Sequence, residues 1–393
     1  MSGLLTAFAW VLALAMALPL AVLATELLAG LWPARSRAVA AADCPSAVLI
    51  PAHDEAGGIG GTLAALREVA PQGTRILVVA DNCSDETAQV ARASGAEVVE
   101  RHDPSRRGKG FALAHGRDYL AANEPPAVVI VLDADCRLET GSIAALCRDA
   151  MARDVPVQAI NLISADPGAA PMVQISSFAM VVKNLFRSRG MQRLGGAALL
   201  TGTGMAFPWP LFARAELATG SIVEDLSLGI EMTRAGHAPY LVEDAHVRSA
   251  PAAMGDALQQ RQRWEHGFLD TLRRRAFPIL AGGLKCGSLQ ETLLGLHLLV
   301  PPLALLLALA GAALLVLAAL AAFGANTAPL MVLGGLVLLV LALVTIAWIS
   351  GGRPFLSGTA LLRAPLYVLW KLPIYAGFLR KPQDAWTRTP RQN

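Results

Sequence analysis

The stretch Ala127–Glu139, AVVIVLDADCRLE, decides the fold. Ala127 to Leu132 is an unbroken apolar run rich in β-branched residues, and Asp133 and Asp135 follow it one residue apart. A strand apolar on both faces belongs in a parallel sheet covered on both sides, and ligands of such sheets bind beyond the carboxyl ends of the strands. On an extended segment the DAD spacing predicts two carboxylates projecting to the same side. Their repulsion and lost hydration cost several kcal/mol unless a cation compensates. A hard divalent ion, Mg2+ or Mn2+, suits a ligand set of acid and phosphate oxygens.

Upstream, strand and helix alternate. AVLIPAH (47–53), RILVVAD (75–81), AEVVER (96–101) and AVVIVLD (127–133) read as strands, while Ile59–Val69, DETAQVARASG (85–95) and KGFALAHGRDYLAA (109–122) have helical spacing. The alternation predicts an α/β domain with a Rossmann-like, mostly parallel sheet. Acids gather at three strand ends: Asp54 and Glu55 after His53, Asp81 before Asn82, then Asp133 and Asp135. Any one of these is equally well explained as a turn residue; three on one edge mark a site.

Three further motifs carry chemistry. RRGKGFALAHG sets Lys109 between Gly108 and Gly110 at a helix start, where close backbone approach, the helix dipole and a point charge all favour phosphate. A solvated lysine is the plain alternative, and the spacing is not that of a Walker A loop. SIVEDLSLG opens a helix with Glu224 and Asp225, which are either dipole partners or include a general base. QQRQRWEHG places Gln260, Arg263 and Trp264 on one helix face. The arginine fork suits phosphate and the indole a sugar ring, although the same pair serves equally as an interfacial anchor.

Hydrophobic residues are 54% of the 393 and charged residues 16%, with the excess concentrated in long runs. Gly3–Leu31, Leu293–Ala322 and Leu330–Ile349 each have the length to span a bilayer. Arg35 and Arg37 follow the first run, and Arg353, Arg363, Lys371, Arg380 and Lys381 follow the last. The positive-inside rule then puts the N-terminus outside and both flanks inside. The expected organisation is an anchor (1–33), a cytoplasmic catalytic domain (34–288), two transmembrane helices (289–350) and an interfacial helix with a basic tail (351–393). Within the runs, Glu26 is expected to snorkel and His297 to be satisfied or interfacial. Arg273 to Arg275 fit positive-inside placement or contact with anionic lipid equally well. A net charge of +3 without a basic aromatic stripe gives no support for nucleic-acid binding. The 5 cysteines show no paired spacing and read as free thiols; of the 7 histidines only His266, beside the third motif, invites a test.

Taken in order, VLIPAHDEAGGI, VVADNCSDETA, RGKG, LDADC, VEDLSLG and QRQRW resemble a membrane-bound family 2 glycosyltransferase of GT-A fold, over roughly residues 46–270. The architecture is similar to bacterial polysaccharide synthases of the cellulose, hyaluronan and poly-N-acetylglucosamine type, which share Q-x-x-R-W. The resemblance implies that Glu55, Asp81, Lys109 and Asp133 hold the nucleotide sugar, and that Asp135, with Asp133, ligates Mg2+ or Mn2+. It implies that Asp225 is the catalytic base and that Glu224, Gln260, Arg263 and Trp264 lie on the acceptor and diphosphate side. TGTGMAFP (201–208) matches the segment that shapes the sugar pocket.

The implied activity is inverting transfer from a nucleotide diphosphate sugar, a UDP-sugar first, to a lipid-linked or growing polysaccharide at the inner membrane, in exopolysaccharide or cell-envelope synthesis. Partner subunits for export are compatible with it. The alternatives are a single-addition lipid glycosyltransferase and a nucleotide-sugar-binding subunit without catalysis. Two departures stand out: His53–Asp54–Glu55 where relatives carry Asn before the Glu, and Ala80 where a second acid is common.

Overall fold

The computed structural model describes residues 2–32, 44–164, 166, 168–218, 223–249 and 254–380. Arg35, Arg37 and Lys381 lie outside the described residues, as do the side chains of 254–261, Gln260 among them. Packing divides the chain into two units. One is built from Met1–Pro33, Ala165–Gly196 and Gln262–Gln383, the other from Ala34–Ser164 and Ala197–Arg261. The segment after Ser164 leaves the sheet and packs among the helices of the first unit, and the chain returns to the second unit at Ala197.

The second unit is one eight-stranded sheet. Its strands are β1 (Ser46–Ala52), β2 (Arg75–Asp81), β3 (Glu97–Arg101), β4 (Val128–Val131), β5 (Cys136–Leu138), β6 (Val157–Ile163), β7 (Met205–Pro208) and β8 (Tyr240–Ser249), in the order β3-β2-β1-β4-β7-β6-β8-β5. β1 runs parallel to β2 and β4, and β2 parallel to β3. β7 is antiparallel to β4 and β6, β8 parallel to β6, and β5 antiparallel to β8. The mixed sheet keeps the expected mostly parallel character.

Period-two geometry explains why the central strands are apolar throughout. Val48, Ile50, Val128 and Ile130 enter one core with Ile59, Leu63 and Leu66 of the helix Ala56–Val69 and Leu146 of the helix Ser142–Arg153. Ala47, Leu49, Val129 and Val131 enter the other with Leu113 and Leu120 of the helix Lys109–Ala122, Phe212, and Leu228 and Met232 of the helix Glu224–Arg234. Each fully buried Leu or Ile contributes about 2 kcal/mol of apolar burial, so both faces hold the sheet.

In the first unit, among the described residues, three helices are long and apolar enough to cross a membrane: Ser2–Gly30, Leu303–Ala322 and Ala328–Gly352. The run expected to start at Leu293 is two helices instead. Leu289–Leu298 is capped by the Ser288 hydroxyl, and Pro302 breaks the chain before Leu303–Ala322.

Glu26 does not snorkel. It is 1% exposed, accepts from Arg187 Nε at 2.6 Å, and its other oxygen lies 2.8 Å from His297 Nδ1. The helices are close enough for this because of glycine: a Cβ on Gly190 would stand 1.9 Å from the Glu26 carbonyl oxygen. Arg187, 161 residues away in sequence, thus reaches the carboxylate before Glu26 can bend to the surface.

Candidate active site

The carboxyl ends of β1 and β2 are tied together by the residues the sequence marked there. His53 Nδ1 lies 2.7 Å from the Asp81 carbonyl, Asp54 Oδ1 accepts from the Ser84 amide at 2.6 Å, and the Glu55 amide donates to Thr87 Oγ1 at 2.7 Å. Asp54 and Asn82 both sit at φ 52, the left-handed region that Asp and Asn tolerate. Asp54 therefore bridges the loops, while Glu55 precedes the helix Ala56–Val69. Asp81 is buried at the end of β2 and accepts from Arg101 Nη1 at 2.6 Å and Asn82 Nδ2 at 3.0 Å. Arg101 had no signal in the sequence beyond its place at a strand end.

Asp133 and Asp135 are not extended. β4 ends at Val131, and the chain turns, with the Cys136 amide donating to the Asp133 carbonyl at 3.0 Å before β5 begins. The turn still brings Asp133, Asp135 and Cys136 ligand atoms within 4.8 Å of one another. Burial, with Asp135 and Asp133 beside it, pushes the Cys136 thiol well above its ordinary range, so it remains protonated and donates to Asp135 Oδ1 at 3.5 Å. The donor set that fits a metal is thus two carboxylates, a hard set suited to Mg2+ or Mn2+.

Lys109 opens the helix Lys109–Ala122 behind Gly108, whose φ of 133 is open to glycine. Its ammonium pairs with Asp133 and donates to the Gly202 carbonyl at 2.6 Å. Burial alone would lower the Lys109 pKa, but Asp133, Glu224 and Asp225 outweigh it and hold it above the ordinary value. Read separately as a phosphate contact and a nucleotide contact, Lys109 and Asp133, 24 residues apart, are one ion pair.

The TGTG loop supplies the next wall. Gly202, at φ 81, leaves room where a Cβ would stand 3.2 Å from Asp225 Oδ2 and 3.3 Å from Lys109 Nζ. Thr203 Oγ1 accepts from the Asp133 amide at 3.1 Å. Behind the loop, Gln158 of β6, 2% exposed, accepts from the Thr201 amide and donates to the Thr203 carbonyl, each at 2.9 Å. A glutamine in the apolar strand VQAINLI was the overlooked signal.

Glu224 and Asp225 begin the helix Glu224–Arg234, and Asp225 Oδ1 accepts from the Leu226 amide at 2.8 Å. Burial, then Asp225, pushes the Glu224 carboxyl up to about 7, with Lys109 opposing. Both acids line a cleft with Lys109, Gly202, Leu113 and Glu216. Glu216, an acid outside every motif, was not foreseen.

Gln260, Arg263 and Trp264 lie on the helix Met254–Thr271. Arg263 and Trp264 are half-buried. His266 is buried, its Nε2 2.9 Å from the Ile374 carbonyl, which makes it a packing residue.

Residues 44–267, spanning the sheet and every motif but the membrane runs, match the family described as Glycosyltransferase like family 2. The chain belongs to this family. Among curated proteins, uncharacterized glycosyltransferases of Mycobacterium tuberculosis and Mycobacterium bovis are 38% identical over 99 residues, which is 25% of this chain and 40% of theirs. The match thus spans less than half the length of these relatives. Among solved structures, a mannosyltransferase from Pyrobaculum calidifontis in complex with GDP-Man and Mn2+ superposes over 93% of this chain and 99% of its own, with TM-score 0.56 and 18% identity. Glucosyl-3-phosphoglycerate synthase from Mycobacterium tuberculosis, in complex with Mn2+, UDP and phosphoglyceric acid, covers 60% of this chain and 84% of its own at TM-score 0.42 and 20% identity. The first of these neighbours shares the GT-A-like fold of this family 2 glycosyltransferase.

Proposed function

We propose that the protein transfers a sugar, with inversion, from a nucleotide diphosphate sugar to a hydroxyl of a lipid-linked or growing polysaccharide acceptor at the inner membrane. The observation that carries this reading is the convergence of Lys109, Asp133, Gly202 and the Glu224–Asp225 pair at the carboxyl end of β4 in a family 2 glycosyltransferase. Asp225 takes the proton of the attacking hydroxyl, acting as a positioned general base. At neutral pH a proton shared onto Glu224, whose pKa is about 7, relieves the acidic pair of part of its charge. Lys109 faces the leaving diphosphate and stabilises the charge that develops there, and Arg263 adds a second cation on the Q-x-x-R-W helix. Glu55 and Asp81 hold the nucleoside at the β1 and β2 ends.

Asp135, with Asp133, would hold Mg2+ or Mn2+, which supplies positive charge to the diphosphate when bound. The charge balance supports this: Asp133, Glu224 and Asp225 act on Lys109, Asp135 lies beside Asp133, and a diphosphate brings further negative charge. The three apolar helices support membrane placement, with the sheet unit in the cytoplasm. The donor is a UDP-sugar by resemblance, and GDP-sugars belong in the same trial.

Membranes carrying the protein, supplied with labelled UDP- and GDP-sugars and Mn2+ or Mg2+, should form a labelled product. Asp225→Asn and Asp135→Ala should each lower turnover at least about 100-fold, the scale of a lost general base. Turnover near wild type in either variant would remove that residue from its role, and donor binding without any turnover would favour the binding-subunit alternative.

A further inference from the structure

β5 and β8 close the sheet at the edge farthest from β3, and their register sets Arg137 directly opposite Arg248. Their strand neighbours Cys136, Leu138 and Val247 point into the core on one face, so both guanidinium side chains leave from the other face. Like charges directly opposite on a ladder repel, and a fold keeps such a pair only where something offsets it. Glu139 offsets half. Its Oε1 accepts from Arg248 Nε, and its Oε2 lies 3.8 Å from His246 Nδ1. Arg137 is exposed, and among the described residues it makes no ion pair. The Glu139 carboxylate is thus shared between the Arg248 guanidinium and the His246 imidazole, and Arg137 stands opposite Arg248.

The position is informative as well. Arg137 follows Asp135 by two residues, and Ser249, next to Arg248, stands opposite Cys136. The arginines therefore rise beside the DAD turn, apart from the cleft between Lys109, Gly202 and Asp225.

We propose that Arg137 and Arg248 form an anion clamp for a phosphate group carried by the acceptor, an inference that rests on the glycosyltransferase reading. Two planar forks side by side match the oxygens of one phosphate, each bidentate, and binding removes the repulsion between them. Glu139 holds Arg248 in place through Nε, the edge that a ligand leaves unused. The donor diphosphate has the same chemistry, so the test must separate the two sources.

The full-length protein in detergent is titrated calorimetrically, at low ionic strength, with inorganic phosphate and separately with UDP and Mn2+. Arg137→Gln and Arg248→Gln should each weaken phosphate binding at least about tenfold, as loss of one bidentate fork implies. UDP affinity should stay within about twofold, since its contacts lie elsewhere. Glu139→Gln, which removes the charge paired with Arg248, should tighten phosphate binding and guards against variants that merely misfold. Phosphate affinity unchanged in Arg137→Gln, or UDP affinity falling in step with phosphate, would overturn the clamp. Phosphate binding as expected, with no UDP binding by wild type, would support the clamp and count against the proposed function instead.

Discussion

Glu224→Gln should stabilise the protein above neutral pH and change little at pH 5. Burial lifts the Glu224 carboxyl from 4.5 to about 7, Asp225 adds repulsion, and Lys109 limits the rise. The folded chain therefore binds this proton more tightly than the unfolded chain does, and the sign follows from linkage. The stabilisation is complete below about pH 4.5, the unfolded value, and is lost as pH rises through about 7. The rise from 4.5 to about 7 corresponds to roughly 3 kcal/mol at about 1.4 kcal/mol per tenfold change in proton affinity. Solvent at the partly exposed carboxyl lowers this to about 2 kcal/mol. Glutamine resembles the protonated acid at every pH, so the gap between variant and wild type should open between about pH 4.5 and 7 and hold its full size above that. For a unit of this size, about 2 kcal/mol is roughly 6 °C in melting temperature. Thermal melting of the detergent-solubilised chain, followed by tryptophan fluorescence from pH 5 to 9, measures it. A gap that is constant with pH, or widest at pH 5, would refute a charge origin.

Gly202→Ala should lower sugar transfer more than stability. The left-handed φ of 81 costs alanine about 1–2 kcal/mol, and the new methyl pushes between Asp225 and Lys109, which stand 3.2 and 3.3 Å from it. Turnover and melting temperature measured on the same preparation check this, and equal turnover would detach the loop from the site. Glu26→Ala leaves the Arg187 guanidinium buried without its carboxylate and should cost about 3–5 kcal/mol. A melting temperature within about 2 °C of wild type would show that the pair is not holding the helices.

Local pattern carried the first half of the sheet almost residue for residue. RILVVAD is β2 entire, and KGFALAHGRDYLAA is a helix entire, because a β-branched run and a glycine boundary are sufficient local instructions. β7 was illegible as an insertion between β4 and β6. Its place depends on pairing Val128 with Pro208, 80 residues away, and no local period encodes that. The DAD turn was misjudged for a related reason: apolar residues up to Leu132 mark a strand, but where it bends is decided by Thr203 and Leu49, which take the backbone hydrogen bonds of Asp133 and Leu132. Glu26 shows the same limit in the helices, since a charged residue near a helix end is read as snorkelling until a partner from another segment reaches it.

That partnering also refines the roles of the two acids after β4. Lys109 spans the gap from the helix start to Asp133 and simultaneously holds the Gly202 carbonyl, so one ammonium fixes the position of the DAD turn against the TGTG loop. Asp133 is consequently committed to shaping the cleft through its side chain and, through its amide, to Thr203. Asp135 is exposed beyond the turn, and its Oδ1 accepts from the Cys136 thiol at 3.5 Å. Of the two carboxylates, Asp133 is the one paired with Lys109, and on the proposed reading it keeps that ammonium aimed at the diphosphate. On the proposed reading, the incoming negative charge meets a lysine already oriented, which is how preorganised charge lowers a barrier without reorganising at the moment of reaction.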